Sequence, residues 1–69
     1  MEMARVTSSN ISSIGYDSNS KRLVVLFNDG SKYEYYNVPA NVHKELMASE
    51  SISGYSHKNI YEEYEYSKI

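Results

Sequence analysis

The feature that most constrains the fold is a strand–turn–strand segment between residues 22 and 36. Arg22–Phe27 is a run of aliphatic and β-branched residues that ends in Phe, and Asn28-Asp29-Gly30 supplies consecutive turn formers. Lys32–Tyr36 then alternates charged and aromatic side chains, as one half-buried strand would. The segment therefore predicts a β-hairpin at the centre of the chain.

The number of residues in the turn decides which side chains share a face, because a one-residue slip moves a whole set across the sheet. A two-residue turn at Asp29-Gly30 pairs Leu26 with Tyr33, whereas a three-residue loop pairs Val25 with Tyr33. We predict the three-residue loop because it builds a single apolar face of Leu23, Val25, Phe27, Tyr33 and Tyr35. The opposite face then carries a candidate interaction patch of Val24, Leu26 and Tyr36.

The segments around the hairpin predict one further strand and one helix. Asn10–Asp17 alternates as a strand, with Ile14 and Tyr16 on one face, before a polar turn. Pro39 suits the first turn of a helix that runs to about Ser49, with Val42, Leu46 and Met47 as its apolar stripe. His43 on this helix is expected to face solvent.

Residues 49–69 divide into a predicted loop and a tail, residues 60–66, that allows two interpretations. Residues 49–56 are polar and predict a loop. Asn59 followed by Glu62 resembles a capping box and a helical turn from Ile60, while Tyr64-Glu65-Tyr66 would suit an edge strand. We predict an α+β fold, a small antiparallel three-stranded meander with one packed helix and a short C-terminal helix or strand. Residues 1–5 are expected to be a flexible lead-in and residues 6–69 a single domain.

Composition limits the stabilising devices and the environment. The chain has no Cys, which excludes a disulfide framework, and its 69 residues allow only a small core. Domains below about 70–80 residues usually need an additional staple, so we expect a homo-oligomer. No apolar run approaches the ~20 residues of a membrane helix. The first residues also lack the apolar core of a secretory signal, so we expect a cytoplasmic protein without a membrane partner.

Catalytic chemistry finds little support in the sequence. The two histidines are His43 and His57, and His57 is expected in a loop over residues 53–59. No nucleophile elbow, phosphate-cradling glycine loop or His-Glu metal motif is present. We therefore expect no enzyme, no catalytic residue, no metal and no cofactor.

An ordered set of short motifs spans residues 6–66. The set is Val6-x-Ser8-Ser9-x-Ile11, Ile14-Gly15-Tyr16-Asp17, Leu23-x-Val25-x-Phe27-x-x-Gly30, Tyr33-x-Tyr35, Val38-Pro39, Gly54-Tyr55, Asn59-Ile60 and Tyr64-x-Tyr66. It resembles the KTSC domain, a small module named after the lysyl-tRNA synthetase C-terminus that also occurs as a stand-alone bacterial or phage protein. The resemblance implies a small α+β fold and, by association, RNA binding.

This chain departs from the family pattern near its end. The resemblance implies an Asn in the segment after Gly54 and an Arg just after Ile60. Ser56-His57 and Tyr61 stand at those places here, and the acidic Glu62-Glu63 follows. The loss of a basic residue weakens a phosphate-binding interpretation.

The balance of aromatic and basic residues favours a small ligand over a long nucleic acid. Eight Tyr accompany only seven Lys and Arg, which oppose nine Asp and Glu. We predict a non-catalytic nucleotide-binding module, and as a finer hypothesis a homo-oligomeric sponge that sequesters a cyclic dinucleotide immune signal in the cytoplasm of a phage-infected host. The alternatives are an RNA-binding accessory module and a protein–protein adaptor that uses the Val24, Leu26 and Tyr36 patch. The candidate ligand-binding residues are Ser8, Ser9, Tyr36, Tyr55, Ser56, His57, Lys58, Asn59 and Tyr61.

Overall fold

The structure, a computed structural model, describes residues 2–69 and has five strands and two helices in that range. In chain order the elements are β1 (Met3–Arg5), β2 (Ile11–Asp17), β3 (Arg22–Phe27), β4 (Lys32–Tyr35), α1 (Ala40–Ala48), α2 (Ile52–Asn59) and β5 (Tyr66–Lys68). The strands form one sheet in the order β1-β2-β3-β4-β5, and each is antiparallel to its neighbours. The predicted α+β class is confirmed, and the meander is larger than expected.

The predicted hairpin register between β3 and β4 is confirmed. Leu23 pairs with Tyr35 and Val25 pairs with Tyr33. The Phe27 N–H donates to the Ser31 carbonyl over 2.8 Å, and the Gly30 N–H donates to the Phe27 carbonyl over 3.0 Å. Gly30 has a φ of 92°, a conformation that glycine adopts at little cost because it lacks a Cβ. The hairpin therefore closes through a three-residue loop.

One face of the sheet, here called the inner face, packs against both helices. The core consists of fully or almost fully buried side chains: Ile11, Ile14, Leu23, Val25, Tyr35, Val38, Leu46, Ile52 and Ile60. A register shift between Ile11 and Ser13 lets Ile11 rejoin the inner face. Strict alternation from Ile14 would have turned it outward, so this bulge recovers one core residue.

The opposite, outer face does not carry the exposed apolar patch that the sequence predicted. Val24 is only 4% exposed, and Leu26 and Tyr36 are half-buried. Val24 lies opposite Glu34 in the sheet, and the Glu34 carboxylate forms an ion pair with Arg22 over 3.0 Å. The prediction of an exposed apolar patch at these three residues is therefore wrong, because the surface there is largely covered.

Two short edge strands extend the predicted three-stranded meander. β1 pairs with residues 13–15 of β2, and it includes part of the segment expected to be a flexible lead-in. Met1, the first residue of that lead-in, lies outside the described residues. β5 pairs with residues 33–35 of β4, which agrees with the edge-strand interpretation of the tail. A strand of three residues is too short to show a periodic pattern in the sequence. Such a strand forms because the neighbouring strand pairs with it, and this pairing is not visible in the sequence.

A second helix, α2, occupies residues for which the sequence predicted a loop, so that prediction is wrong. The side-chain oxygen of Ser51 accepts a hydrogen bond from the Gly54 N–H over 3.1 Å and so caps the helix. Ile52, Ser56 and Ile60 follow at four-residue spacing and are buried on one side. Asn59 is the last residue of α2, so the capping box that placed a helix start there is wrong.

The first helix, α1, lies close to where the sequence placed it, with Pro39 as its N-cap residue. His43 was expected to face solvent, but it is half-buried, so this expectation is wrong. Its ring stacks on Tyr16 with a centroid separation of 4.7 Å and an interplanar angle of 9°. The Tyr16 hydroxyl in turn donates to the Val38 carbonyl. Burial lowers the pKa of His43 below its usual value.

Candidate ligand-binding site

An open groove of about 570 Å³ lies at one end of the inner face, where the β3–β4 hairpin, the end of α2 and β5 meet. We call it the aromatic groove. It is lined by Ser9, Asn10, Phe27, Asn28, Asp29, Ser31, Tyr33, Tyr35, His57, Tyr61 and Tyr66. Its volume lies within the range of about 300–1,000 Å³ that is typical of small-molecule sites.

A continuous set of aromatic rings forms the floor of the groove. Phe27 meets Tyr33 edge to face at 5.6 Å between ring centroids. Tyr66 lies 5.7 Å from Tyr33 and 5.6 Å from Tyr35, and Tyr61 lies 6.1 Å from Tyr35. These separations fall within the range of favourable ring–ring contacts, so the rings support one another as a platform.

The polar rim of the groove is made of two loops that Asn28 ties together. The Asn28 N–H donates to the Asn10 carbonyl over 2.8 Å, and its side-chain amide donates to the Ser9 carbonyl over 2.9 Å. The Asn10 side chain donates to Ser53 on α2 over 3.1 Å. The rim is therefore fixed to both the hairpin and the helix.

The same hydrogen bonds leave the rim rich in acceptors. Asn10 and Asn28 use their NH₂ groups within the protein, so their Oδ1 atoms are available to a ligand. Asp29 Oδ1 accepts from the Ser31 N–H over 2.9 Å and from the Ser31 hydroxyl over 2.6 Å. Across residues 2–69 no hydrogen bond to Asp29 Oδ2 is found. The rim thus suits a ligand that donates hydrogen bonds.

The charge of the groove is weakly negative at neutral pH. Asp29 is its single carboxylate, and the hydrogen bonds from Ser31, with a smaller contribution from the positive charge of Lys68, lower the pKa of Asp29. Among the residues described, none of the groove-lining side chains is Lys or Arg. Burial raises the pKa of Tyr35 and of Tyr61, so both phenols stay protonated.

The structure brings three of the nine predicted site residues to the groove. Ser9, His57 and Tyr61 line it, and the His57 ring meets the Tyr61 ring edge to face at 4.9 Å. Tyr36 lies instead at a neighbouring depression lined by residues 61–67, to which Tyr61 also belongs. Ser8 has a local role, since its hydroxyl accepts from the N–H groups of residues 10 and 11.

The remaining predicted residues lie on α2 and do not line the groove. Ser56 is fully buried and donates its hydroxyl proton to the Ile52 carbonyl over 2.8 Å. The Tyr55 hydroxyl donates to Glu45 over 3.2 Å, and burial together with that carboxylate raises the pKa of Tyr55. Asn59 donates to the Tyr55 carbonyl over 3.3 Å, and Lys58 is exposed.

Sequence reasoning missed most of the groove-lining residues. Phe27 and Tyr33 were assigned to the core, and Asn28 and Asp29 only to the turn. The signal that could have found them is the hairpin itself, because a polar loop beside aromatic strand ends places both types of side chain at one edge. What was missing was the position of α2, which turns that edge into a groove.

Two features are absent from residues 2–69. No group of three or more His, Asp or Glu side chains there could hold a metal ion. In the same range no helix is long and apolar enough to cross a membrane.

The fold and the groove together define, in the described residues, a small α+β domain with a five-stranded antiparallel sheet, two helices and an open aromatic groove at one end of its inner face. The family model described as the KTSC domain matches residues 7–64. The chain therefore belongs to the KTSC domain family.

Two individual proteins are similar to this chain. A protein from Tsukamurella paurometabola is 43% identical over 49 residues, which cover 71% of this chain and 73% of that protein. The crystal structure of a KTSC domain protein from Yersinia pestis superimposes with a TM-score of 0.96 at 31% sequence identity, covering 99% of this chain and 96% of that one. The fold described above is thus shared across nearly the whole length of both structures.

Proposed function

We propose that this protein is a non-catalytic nucleotide-binding module that holds a nucleobase in the aromatic groove. The observation that carries the proposal is the combination of a ring platform, formed by Phe27, Tyr33, Tyr61 and Tyr66, with a rim of side-chain acceptors. A planar base can stack on such rings while its polar edge meets the rim, and stacking of this kind contributes about 1–3 kcal/mol per base.

The acceptor-rich rim favours particular bases. Asp29 and the amide oxygens of Asn10 and Asn28 accept hydrogen bonds, so they complement exocyclic NH₂ groups. Guanine, adenine and cytosine carry such a group, whereas the pyrimidine edge of uracil offers mainly acceptors. We expect guanine to bind best, because its NH₂ and ring N–H place two adjacent donors against this acceptor-rich rim, where, within residues 2–69, Asp29 Oδ2 is free while Oδ1 is taken by Ser31.

The same charges argue against a site built around phosphate. Asp29 is the carboxylate at the rim, and none of the described groove-lining side chains is Lys or Arg. A phosphate group would therefore extend away from the groove into solvent. Affinity of this kind should change little with salt, because few counterions are released on binding.

The finer version of the proposal is sequestration of a cyclic dinucleotide by a homo-oligomer, as a phage protein that blocks immune signalling would do in the host cytoplasm. One groove can hold one base, so a dinucleotide would engage two grooves on neighbouring protomers. This version adds a requirement for self-association to the single-site proposal.

The test is a calorimetric titration of the protein with guanosine, adenosine, cytidine and uridine monophosphates, with inorganic phosphate as the reference for phosphate alone. Tyr61→Ala should weaken guanosine monophosphate binding roughly tenfold to hundredfold, through the loss of one stacking partner. Tyr61→Phe keeps the ring and should bind nearly as the parent does. Lys58→Ala changes an exposed cation outside the groove and serves as a matched surface control.

The same titration separates the proposal from the RNA-binding alternative. A single-stranded RNA should show an affinity that falls steeply with salt if several phosphates are neutralised. RNA binding with such a slope, together with no binding of any mononucleotide, would replace the proposed function by the RNA-binding one. Unchanged nucleotide affinity in Tyr61→Ala would remove the aromatic groove from the site.

A further inference from the structure

The edge strand β5 presents free backbone groups on its outer side. Two hydrogen bonds at its ends show which backbone groups face β4. The Tyr36 N–H donates to the Glu65 carbonyl over 2.9 Å, and the Ile69 N–H donates to the Lys32 carbonyl over 2.9 Å. Backbone groups alternate in direction along an antiparallel strand. The N–H and carbonyl groups of residues 65, 67 and 69 therefore face β4, and those of Tyr66 and Lys68 point away from the sheet.

The exposed apolar side chains concentrate at the same edge. Tyr66 is 55% exposed and Ile69 is 58% exposed, and every other large hydrophobic side chain in the described residues is at least half-buried. The opposite edge, β1, has no exposed side chain of this kind in residues 3–5. An unpaired strand with apolar side chains is the usual template for strand addition.

From these observations we infer that β5 pairs antiparallel with β5 of a second copy of this chain, across a two-fold axis at Ser67. In this register each Tyr66 lies opposite the partner subunit's Lys68, and Ser67 lies opposite its own counterpart. The two Tyr66–Lys68 pairs each exchange two N–H···O bonds, which gives about four inter-chain hydrogen bonds. All of the donors and acceptors are the outward-pointing groups identified above.

The two neighbouring registers are less favourable, as the side-chain charges and the free backbone groups show. A two-fold axis at Lys68 places two ammonium groups opposite each other, which is unfavourable. An axis at Tyr66 places Lys68 opposite the partner's Tyr64, whose N–H is already bonded to the Ile60 carbonyl over 3.3 Å. The axis at Ser67 avoids both the like-charge contact and the occupied Tyr64 N–H.

The edge lysine, which usually discourages strand pairing, takes a favourable position in this register. The partner subunit's Lys68 stands beside the ring of Tyr66 on the inner face, where a cation–π contact can form. Tyr66 lines the aromatic groove, so the second copy supplies a cation to a groove that has no Lys or Arg among its described lining residues. This dimer does not depend on the proposed ligand, although it would extend the same groove.

The size of the interface sets its expected strength. A three-residue strand buries far less than the ~1,200 Å² of the smallest standard protein interfaces, so the dimer should be weak and concentration-dependent. Sedimentation equilibrium from about 10 µM to about 1 mM should show a monomer–dimer equilibrium for the parent protein.

A pair of substitutions at one position tests the backbone bonds. Lys68→Ala removes the side chain but keeps the outward N–H, whereas Lys68→Pro removes both and is tolerated on an edge strand. We expect Lys68→Ala to dimerise and Lys68→Pro to remain monomeric, each with the circular dichroism of the parent. A dimer of Lys68→Pro, or a parent protein that stays monomeric throughout, overturns the inference.

Single cysteines test the register, because the natural chain has none. In Ser67→Cys the two Cα atoms would be about 4.5 Å apart, a separation suited to a disulfide. In Lys68→Cys they would be about 8 Å apart, beyond bridging distance. With oxidised glutathione as the acceptor of the two electrons and two protons, Ser67→Cys should cross-link at least about tenfold faster. Equal rates would overturn the register, and neither experiment involves a nucleotide, so failure here leaves the proposed function to its own test.

Discussion

The inner face of the sheet has two halves that differ in how completely they are covered. In the closed half, aliphatic side chains of β2 and β3 lie beneath Leu46 and Ile60, and all of these side chains are buried. In the open half, Phe27 and Tyr33 are only half-buried and Tyr66 is exposed. The same sheet therefore provides both a dry core and an aromatic groove.

The chemistry of the side chains explains this difference. Aliphatic side chains gain about 25 cal/mol for each Å² removed from water and lose nothing polar in the process. A Tyr side chain carries a hydroxyl that needs a partner or water, so a cluster of Tyr is most stable with ring edges at the surface. Covering the open half with a further apolar layer would leave those hydroxyls unsatisfied. The aromatic groove is thus the part of the inner face that the tyrosine hydroxyls keep open to solvent.

The largest expected effect is on the closed half. Leu23→Ala should lower the free energy of unfolding by about 2–5 kcal/mol, because Leu23 is fully buried and its loss leaves a cavity. Tyr66→Ala removes a larger side chain from the open half but should cost less than about 1 kcal/mol, since most of that side chain is exposed. Urea unfolding of both variants in dilute protein measures the difference. Similar losses in the two variants would break the distinction between the halves.

The second effect concerns the loop that holds the rim of the open half. Gly30→Ala should cost about 1 kcal/mol, because a Cβ disfavours the positive φ of this residue. No atom lies within 4 Å of the added Cβ, so the loss comes from the backbone conformation and not from a clash. Gly30→Asn should recover part of the loss, since Asn tolerates the left-handed region better. A Gly30→Ala variant as stable as the parent in urea would contradict the three-residue loop.

The closed half was the more predictable part of the fold. The register of β3 and β4 follows from a local signal, the position of Gly30, and from the demand for one apolar face. These two arguments alone assign Leu23, Val25 and Tyr35 to the core. Ile11 and Ile14 also follow from strand alternation, once the bulge between them is known. Such contacts need only neighbouring strands.

The open half depends on contacts between distant segments, which explains why sequence patterns missed it. Helix α2 begins at a serine cap and contains Gly54, a weak helix former, so its local pattern resembles a loop. The segment is helical because Ile52 and Ile60 pack into the core, and this packing is a tertiary effect that the local sequence does not show. Without α2 and β5 in place, Tyr61 and Tyr66 could not be assigned to the same groove as Asn28.

A third effect, at the far end of the closed half, depends on pH. Burial lowers the pKa of His43 from its usual 6.5, so the folded state binds fewer protons than the unfolded state does. The contribution of His43 to stability should therefore be fully present above pH 6.5. It should be lost as the pH falls from 6.5 through the lowered pKa of the folded state. The decline should be modest, because His43 is only half-buried against Tyr16.

The matched variants for this effect are the two histidine-to-glutamine substitutions. Urea midpoints measured between about pH 8 and about pH 5.5, above most carboxylate titrations, should lose much of their pH dependence in His43→Gln. His57→Gln changes the exposed histidine at the open groove and serves as the matched control for the substitution itself. A parental slope in His43→Gln would show that the stacked histidine of the closed half is not the titrating group.

The smallest effect tests how α2 is held over the closed half. In Gly54→Ala the better helix propensity should add up to about 1 kcal/mol. The new Cβ would lie 2.8 Å from the Ser51 side-chain oxygen and displace it from its capping position, which costs about 1 kcal/mol. The two contributions should nearly cancel, to within about 0.5 kcal/mol.

A double-mutant cycle separates the two contributions to the stability of α2. Ser51→Ala alone should lose about 1 kcal/mol. Gly54→Ala introduced into Ser51→Ala should then stabilise the protein by about 1 kcal/mol, because no cap is left to lose. If Gly54→Ala has the same effect in both backgrounds, the new Cβ does not displace the Ser51 cap; if Ser51→Ala alone also costs nothing, the packing of Ile52 and Ile60 holds this helix in place without the cap.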